Sequence, residues 1–323
     1  MEAASISGSD AQLTGPALGG RSGRIVAQAL GTWRGKVGLS LTLFVVAVAF
    51  LGPLLGGTGP LDLKGAPFET PGHATGALGG DALGRSVLAR VLHGGWHLML
   101  IALAATALAV VVGTAAGVVA AYRGGRVDSV IMRSVDVLLG VPQLVFVLMM
   151  LSVIGAKTWL VIVSVGLTQA PQVARVLRAS AQDVSERDYV KAVAAWGVPP
   201  RTVIRRHVVP SLLSPLMVES ALRLSFSIIL VAGLAFLGLG VHPPGADWGV
   251  MINEDRVGIA ANSWGVLAPS ILLAALAVGT NMFSDAIARA GLSSARTGDP
   301  SLELFAVGAT GAAEAVPLQE VPE

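Results

Sequence analysis

Long apolar runs separated by polar stretches are the main pattern along this chain. Six runs can be recognised, at approximately residues 37–55, 96–121, 130–154, 158–172, 214–240 and 265–284. An α-helix needs roughly 20 residues to cross the apolar core of a bilayer, and only the fourth run is clearly short of that length. The pattern therefore predicts an all-α integral membrane protein with six transmembrane helices, the fourth being short or interrupted and packed against protein rather than lipid.

Composition agrees with this prediction and excludes several kinds of chemistry. The chain is 53% hydrophobic and 13% charged, with a mean hydropathy of +0.71, whereas soluble domains carry about 25% charged residues. A net charge of +2 is too small to suggest a nucleic-acid partner. The chain has no cysteine, which excludes disulfides, thiolate metal sites and cysteine nucleophiles. The first apolar run starts late and lacks a cleavage site of the usual form, so we expect a retained helix.

The distribution of basic residues predicts the orientation. Lys and Arg are enriched in cytoplasmic loops. With the N-terminus inside, 16 of the 22 basic residues fall in the cytoplasm, five fall outside, and Arg223 lies within a span. We therefore expect a multi-pass protein of the plasma or inner membrane with both termini cytoplasmic.

The two ends of the chain differ from the region between them. Residues 1–24 are rich in Gly, Ser and Ala, and residues 293–323 carry Gly, Pro and scattered Glu, neither with a helical or strand period. Such segments bury too little apolar surface to become ordered. The predicted organisation is a cytoplasmic N-terminal tail over 1–32, a transmembrane domain over 33–292 and a disordered cytoplasmic tail over 293–323.

A polar stretch at 174–213 separates the fourth and fifth runs. Residues 189–196 are good helix formers, and Gly197 suits the end of that helix. The two prolines at 199 and 200 prevent its continuation. A second short helix is expected from about Arg201, ending before Pro210. The pattern predicts a compact pair of helices in the cytoplasm, although a basic connector that merely follows the charge rule is the simpler alternative.

The spacing within this stretch resembles the coupling loop of ABC importer permeases. The signature of that loop is Glu-Ala-Ala, three residues, Gly, nine residues and Ile-x-Leu-Pro; Ala192, Gly197 and Pro210 match it, while Lys191 and Val193 replace the usual Glu and second Ala. In that family the loop docks into a cleft of the ATPase subunit. The resemblance therefore implies an ATPase-coupling surface formed by Tyr189, Lys191, Ala192, Ala195, Gly197 and Pro210.

Four further segments resemble the second (C-type) membrane subunit of dipeptide, oligopeptide and nickel permeases. They are the stretches at 79–90, 133–142, 233–249 and 281–285, within a resemblance that covers roughly 33–291. The resemblance implies the type I ABC importer permease fold in membrane lipid. It also implies three kinds of partner: a second homologous permease subunit, two ATP-binding subunits and a solute-binding protein or lipoprotein.

No catalytic residue or cofactor is expected on this chain. It has no Gly-x-x-x-x-Gly-Lys-Ser/Thr phosphate loop, so ATP and Mg should be bound by the partner ATPases. A membrane-embedded enzyme would need a nucleophile or metal constellation, and no such motif occurs. A secondary transporter would usually show internal repeats, and none is seen in this sequence. His93 and His97 are four residues apart, but Trp96 beside them better suits an anchor at the membrane interface, and no metal site is predicted.

Charged and proline residues within the spans are candidates for a gate or path. Glu219 and Arg223 lie four apart on one helix face, where a structural pair and a role in the gate both stay open. A structural pair is likewise expected for Arg133 and Asp136. The full set of gate or path candidates is Asp136, Pro142, Glu219, Arg223, Ser225 and Asp285.

The cargo implied by the resemblance is di- or oligopeptides, with nickel or another small solute as the alternative. A path for varied peptides should be wide and mostly apolar, offering backbone carbonyls and hydroxyls. Ser225, Ser227 and the stretch 233–240 could supply such a surface. Nickel would favour concentrated His, Cys or carboxylate ligands, and the chain has five His and no Cys.

Overall fold

The structure, a computed structural model, describes residues 26–55, 57, 59–240 and 246–296, with side chains described as far as Ala290. Nine helices carry the architecture of these residues. They are α1 (Trp33–Leu55), α2 (Val87–Arg123), α3 (Gly125–Leu139), α4 (Gln143–Ile154), α5 (Thr158–Ser185), α6 (Asp188–Ala195), α7 (Leu213–Leu234), α8 (Trp248–Asp255) and α9 (Trp264–Arg296). We call the end of the bundle that carries residues 186–212 the lower end and the opposite end the upper end.

The predicted number of spans agrees with the helices in the described part of the chain. Five helices, α1, α2, α5, α7 and α9, are long and apolar enough to cross a membrane. The sixth crossing can be made by α3 and α4 together, which are bent by 84°. The prediction of one continuous third helix over 130–154 was wrong. Its break lies at residues 140–142, where Pro142 disfavours a helical conformation of the preceding residue.

Helix α5 is much longer than the predicted span over 158–172. Pro171 lies inside the helix, which continues to Ser185. A proline within a membrane helix is tolerated where neighbouring helices surround it, and Pro171 is buried. Beyond the proline, Val173, Leu177 and Val184 are buried at helical spacing. The connection between the fourth and fifth spans is therefore the shorter segment 186–212, and residues 174–185 belong to α5.

Close packing of α2 against α5 forms the centre of the fold. A Cβ atom added to Gly113 would lie 2.6 Å from the Ala170 carbonyl oxygen, and one added to Gly117 would lie 2.5 Å from that of Ala174. Gly166 similarly faces the backbone of α2. Small residues allow two helix backbones to approach in this way. Close van der Waals packing then stabilises the helix pair in a membrane, where the hydrophobic effect contributes little to helix association.

Residues before and after the predicted transmembrane domain also take part in the fold. Residues 26–31 are helical, and Ala29 is buried against Ala286, Ile287 and Ala290 of α9. Residues 26–32 therefore belong to the folded part of the chain rather than to a tail as predicted. Helix α9 extends past the predicted boundary at 292 to Arg296. The tails predicted for 1–24 and 297–323 lie outside the described residues.

Candidate coupling surface and path residues

The lower end carries the short helix that the sequence predicts. Helix α6 runs from Asp188 to Ala195, and Gly197 follows it with φ of 78°, a left-handed conformation that favours glycine. The Gly197 amide donates a hydrogen bond of 3.0 Å to the Ala194 carbonyl. The predicted helix and its end at Gly197 are therefore confirmed.

The second helix of this segment does not end before Pro210, as was predicted. The chain is helical over Pro200–Val203, widens into a π-helix over Ile204–Val208, and continues helically through Val209–Ser211. A proline within a helix lacks the amide donor of an i→i−4 hydrogen bond. The wider π-helical turn directly before Pro210 accommodates this missing donor without ending the helix.

Helix α6 is anchored on one side only. Val190 is buried in a cluster with Val203 and Val208 from the following helical run, and with Leu177 and Val184 from α5. This cluster holds α6 firmly against the end of α5. Val193 packs half-buried against the same cluster, and the remaining residues of α6 are exposed.

The predicted coupling residues lie on the free side. Tyr189, Lys191, Ala192, Ala195 and Gly197 are all exposed, and Pro210 is half-buried. Trp196 was not among the predicted site residues, yet its side chain is 80% exposed at the end of α6. An aromatic side chain next to a helix stop is the sequence signal that could have identified it, since Trp is enriched at protein interfaces.

The segment 186–212 is also basic. It carries five Lys and Arg residues and two carboxylates. All five basic side chains are exposed: Arg187, Lys191, Arg201, Arg205 and Arg206. A basic segment that also exposes a Trp side chain is suited to an acidic, partly apolar partner.

The intramembrane charges of α7 form the pair that the sequence suggests. Arg223 Nε lies 2.9 Å from Glu219 Oε1, and both side chains are buried. Arg223 also donates a hydrogen bond to Gln172 of α5, and its guanidinium lies 5.0 Å from the ring centroid of Phe226. These contacts join α7 to α5 within the chain; whether the pair also acts in a gate stays a prediction.

Two serines of α7 lie in the interior instead of facing an open path as predicted. Ser227 accepts hydrogen bonds from Thr106 of α2 at 2.8 Å and from Gln169 of α5 at 2.7 Å. Ser225 is 1% exposed, and its hydroxyl donates to the Ala221 carbonyl at 3.3 Å. The Ser227 hydroxyl thus joins α7 to α2 and α5, whereas the Ser225 hydroxyl bonds within α7.

The other path candidates lie near the surface of the described chain. Asp136 pairs with Arg175 of α5 at 2.7 Å, so the predicted pairing with Arg133 was wrong. Pro142 marks the break between α3 and α4. Asp285 lies 3.9 Å from Arg289 on the same exposed helix face.

A buried ionic cluster at the upper end was not predicted as a site. Asp81 accepts hydrogen bonds from Arg85 Nε at 2.5 Å and from Arg90 Nη1 at 2.7 Å. Both arginines also donate to Glu254 of α8, at 2.9 and 2.8 Å. The cluster therefore joins the segment before α2 to a helix more than 160 residues later in the chain. The Gly-x-Asp-x-Leu-Gly-Arg pattern at 79–85 was the available sequence signal.

Asp255 lies beside this cluster and is fully buried. It accepts a hydrogen bond of 2.9 Å from the Ala82 amide. Burial raises the pKa of Asp255 to about 6, opposed by that hydrogen bond and by Arg90. Burial likewise raises the pKa of Asp247 to about 6, although Asp247 caps α8 by accepting from the Gly249 amide at 2.8 Å.

Trp248 fixes α8 to α2. Its indole donates to the Val91 carbonyl at 2.8 Å, and its ring fills the space above Gly94 and Gly95. A Cβ atom on Gly95 would lie 2.4 Å from the Trp248 ring. The Asp-Trp-Gly sequence at 247–249 thus acts as a structural anchor.

The two histidines of α2 make separate contacts. His93 Nδ1 lies 2.8 Å from the Ala89 carbonyl, one turn earlier in the same helix. His97 packs edge-on against Trp96, with ring centroids 5.0 Å apart. Among the residues that the structure describes, no three His, Cys, Asp or Glu side chains are grouped as metal ligands would be.

Several known proteins are similar to this chain. A putative peptide permease protein of Brucella ovis is 36% identical over 178 residues, which are 55% of this chain and 59% of that protein. This chain thus spans under two thirds of that relative's length. A putative peptide transport system permease protein of Brucella suis is 32% identical over 78% of this chain and 85% of its own length. The dipeptide transport system permease protein DppC of Bacillus subtilis is 30% identical over 70% of this chain and 71% of its own length.

Among solved structures, the inward-facing MetNI methionine ABC transporter aligns with 61% of this chain and 93% of its own chain, at 19% identity and a TM-score of 0.49. Residues 109–290 match the family described as "Binding-protein-dependent transport system inner membrane component". That match covers more than half of the sequence and includes α5, α6 and α7. The chain belongs to the family of binding-protein-dependent transport system inner membrane components.

Proposed function

We propose that this chain is the transmembrane permease subunit of an ATP-driven importer of di- or oligopeptides. The family match and the relatives named as peptide or dipeptide permeases support this function. In this proposal the chain hydrolyses nothing. ATP and Mg are bound by two partner ATPases, a second permease subunit completes the path, and a solute-binding protein or lipoprotein delivers the peptide.

The observation that carries the proposal is the one-sided anchoring of α6. Val190 fixes the helix to α5, while Tyr189, Lys191 and Trp196 are presented outward. Helix α6 thus has an exposed aromatic and basic face and is joined directly to a transmembrane helix. Such a helix is suited to be displaced by another subunit and to transmit that displacement into the bundle. An ATPase with an acidic, partly apolar cleft fits that face.

The proposed orientation has both termini and the lower end in the cytoplasm, following the positive-inside distribution. Because the chain has no native cysteine, single cysteines report sidedness without background from this subunit. Lys191→Cys at the lower end should be protected from a membrane-impermeant maleimide in intact cells. Leu63→Cys at the upper end should be labelled. The reverse pattern would overturn the orientation.

The function itself is tested by uptake in cells with and without this gene. Deletion should abolish uptake of a labelled peptide mixture and leave labelled nickel uptake unchanged. Loss of nickel uptake with every peptide unaffected would refute the peptide assignment while leaving an importer in place.

Coupling is tested separately with Gly197→Glu. No atom lies within 4 Å of an added Cβ at Gly197, although any side chain there strains the left-handed backbone. Glu would also add a negative charge and bulk to the exposed face of α6. The variant should reach the membrane yet lose peptide uptake and substrate-stimulated ATP hydrolysis. Normal uptake would show that this face takes no part in coupling. Gly233→Glu cannot serve as a control, because Gly233 lies within the apolar helix α7.

A further inference from the structure

Helix α3 has a joint at each end. It is joined to α2 by Gly124 and Gly125, which have φ of 58° and 53° and no atom within 4 Å of an added Cβ. Two successive left-handed glycines form a connection with little steric restriction. At its other end, the 84° bend at residues 140–142 separates α3 from α4. The backbone therefore leaves α3 free to change its angle relative to both neighbouring helices.

Apolar packing within the described chain holds α3 only weakly. Val135 is its single buried residue. Val130 and Val137 are each 66% exposed. A helix with so little burial needs other contacts to keep a fixed position on the bundle.

Two ion pairs supply such contacts, both to α5. Arg178 donates from Nε and Nη2 to the two carboxylate oxygens of Asp128, each at 2.5 Å. Arg175 donates to Asp136 at 2.7 Å. The first pair is bidentate and mostly shielded from solvent, whereas the second is more than half exposed. Bidentate geometry and shielding make the Asp128–Arg178 pair the stronger of the two.

Helix α5 passes almost directly into α6. Only Glu186 and Arg187 separate the two helices, and the Glu186 amide still bonds to the Gln182 carbonyl at 3.0 Å. The buried cluster around Leu177, Val184 and Val190 spans both helices. A displacement of α6 must therefore move the lower half of α5, which carries Arg178.

We propose that Asp128 and Arg178 are positioning residues for transport, whose ion pair makes α3 move together with α5 so that displacement of α6 reaches the bend at 140–142. This inference rests on the proposed function of α6 as the helix displaced by the ATPase. The ion pair is the firm connection across an otherwise loose contact between α3 and α5. Without it, α5 would move while α3 stayed behind, and ATP would be hydrolysed without a matching change in the path.

The first test compares charge reversals in the assembled complex with all its subunits, reconstituted in liposomes. Asp128→Arg and Arg178→Asp should each reduce the number of peptides transported per ATP hydrolysed by about tenfold, within the usual range of coupling between sites. The double exchange should restore the ratio because the pair is formed again with the charges swapped. Arg126→Asp, an exposed charge reversal on the same helix, should change the ratio by less than about twofold.

The second test joins the two positions covalently. In the variant carrying Asp128→Cys and Arg178→Cys, the reduced protein should be uncoupled. A short bifunctional thiol reagent should restore transport, because α3 and α5 are again held together. If the cross-link blocked transport, or if the two single reversals transported normally, the inference would be overturned. A subunit that merely failed to fold would be lost from the purified complex and would not be rescued by cross-linking.

The unaltered complex separates this inference from the proposed function. If it transports no peptide, the proposed function fails. If it transports peptide with the same ATP ratio as the charge-reversed variants, only the role of the Asp128–Arg178 pair fails.

Discussion

Asp81 at the upper end offers the sharpest test of how the fold is held together. Its side chain is fully buried. It accepts two backbone hydrogen bonds, from Leu83 at 2.9 Å and from Arg85 at 2.8 Å. It also pairs with the guanidinium groups of Arg85 and Arg90. Asp81→Ala removes the carboxylate that all four donors share.

The size of the effect follows from what is left behind. Arg85 and Arg90 would remain buried with Glu254 as their common carboxylate, and that side chain is 27% exposed. Removing one partner of a buried ion pair destabilises proteins by about 3–5 kcal/mol, because an uncompensated charge stays in the interior. For a chain of 323 residues, such a loss corresponds to a decrease in Tm of roughly 5 °C.

Thermal unfolding of the purified complex in detergent measures this decrease. Asp62→Ala is the matched control, because Asp62 is an exposed carboxylate of the same upper segment with one local hydrogen bond to the Gly59 amide. Its effect should stay within about 0.5 kcal/mol, the usual range for surface substitutions. If Asp81→Ala lowered Tm no more than Asp62→Ala, the reasoning that the cluster fixes α8 to the segment before α2 would be refuted.

Three further outcomes follow from the structure. Gly197→Ala places a Cβ in a left-handed conformation at φ of 78°, which costs about 1–2 kcal/mol. Peptide uptake should be highest with Gly197, lower with Gly197→Asn and lowest with Gly197→Ala; equal uptake by all three would show that the conformation is not needed. Gly95→Leu should reduce the yield of assembled complex, because even a Cβ would lie 2.4 Å from Trp248, and overpacking typically costs about 1–3 kcal/mol. Burial raises the pKa of Asp247 and Asp255 to about 6, so the folded protein binds more protons than the unfolded chain between about pH 4 and 6. The contribution of these two carboxyl groups to stability is fully present below about pH 4 and is lost as pH rises through about 6. Asp255→Asn should therefore reduce the fall in Tm between about pH 5 and 7 relative to the unaltered protein. An unchanged dependence of Tm on pH would contradict the raised pKa of Asp255.

Local patterns in the sequence were sufficient for the spans and for α6. Apolar runs of sufficient length can be satisfied in a membrane only as helices, so the positions of α1, α2, α7 and α9 followed from composition alone. The end of α6 at Gly197 is equally local, because only the residue's own backbone freedom decides it.

The length of α5 depended on its surroundings. Pro171 signals the end of a helix in isolation. In the fold, α2 packs against this region through Gly113 and Gly117, and the helix continues through the proline to Ser185. The break after α3 shows the opposite outcome, since residues 140–142 at the joint are exposed in the described structure.

Partner choice among charged residues was decided by tertiary structure. Arg133 lies one turn from Asp136 in sequence, yet Arg175 forms the ion pair because α5 crosses beside α3. Asp81 and Glu254 share two arginines across more than 160 residues of chain. Sequence spacing specifies which side chains share a helix face, whereas the contacts between faces depend on how whole helices pack. The sequence by itself therefore determined the approximate positions of the membrane helices and of the exposed helix α6. The packing of α2, α3, α5 and α8 decided which charges hold them in place.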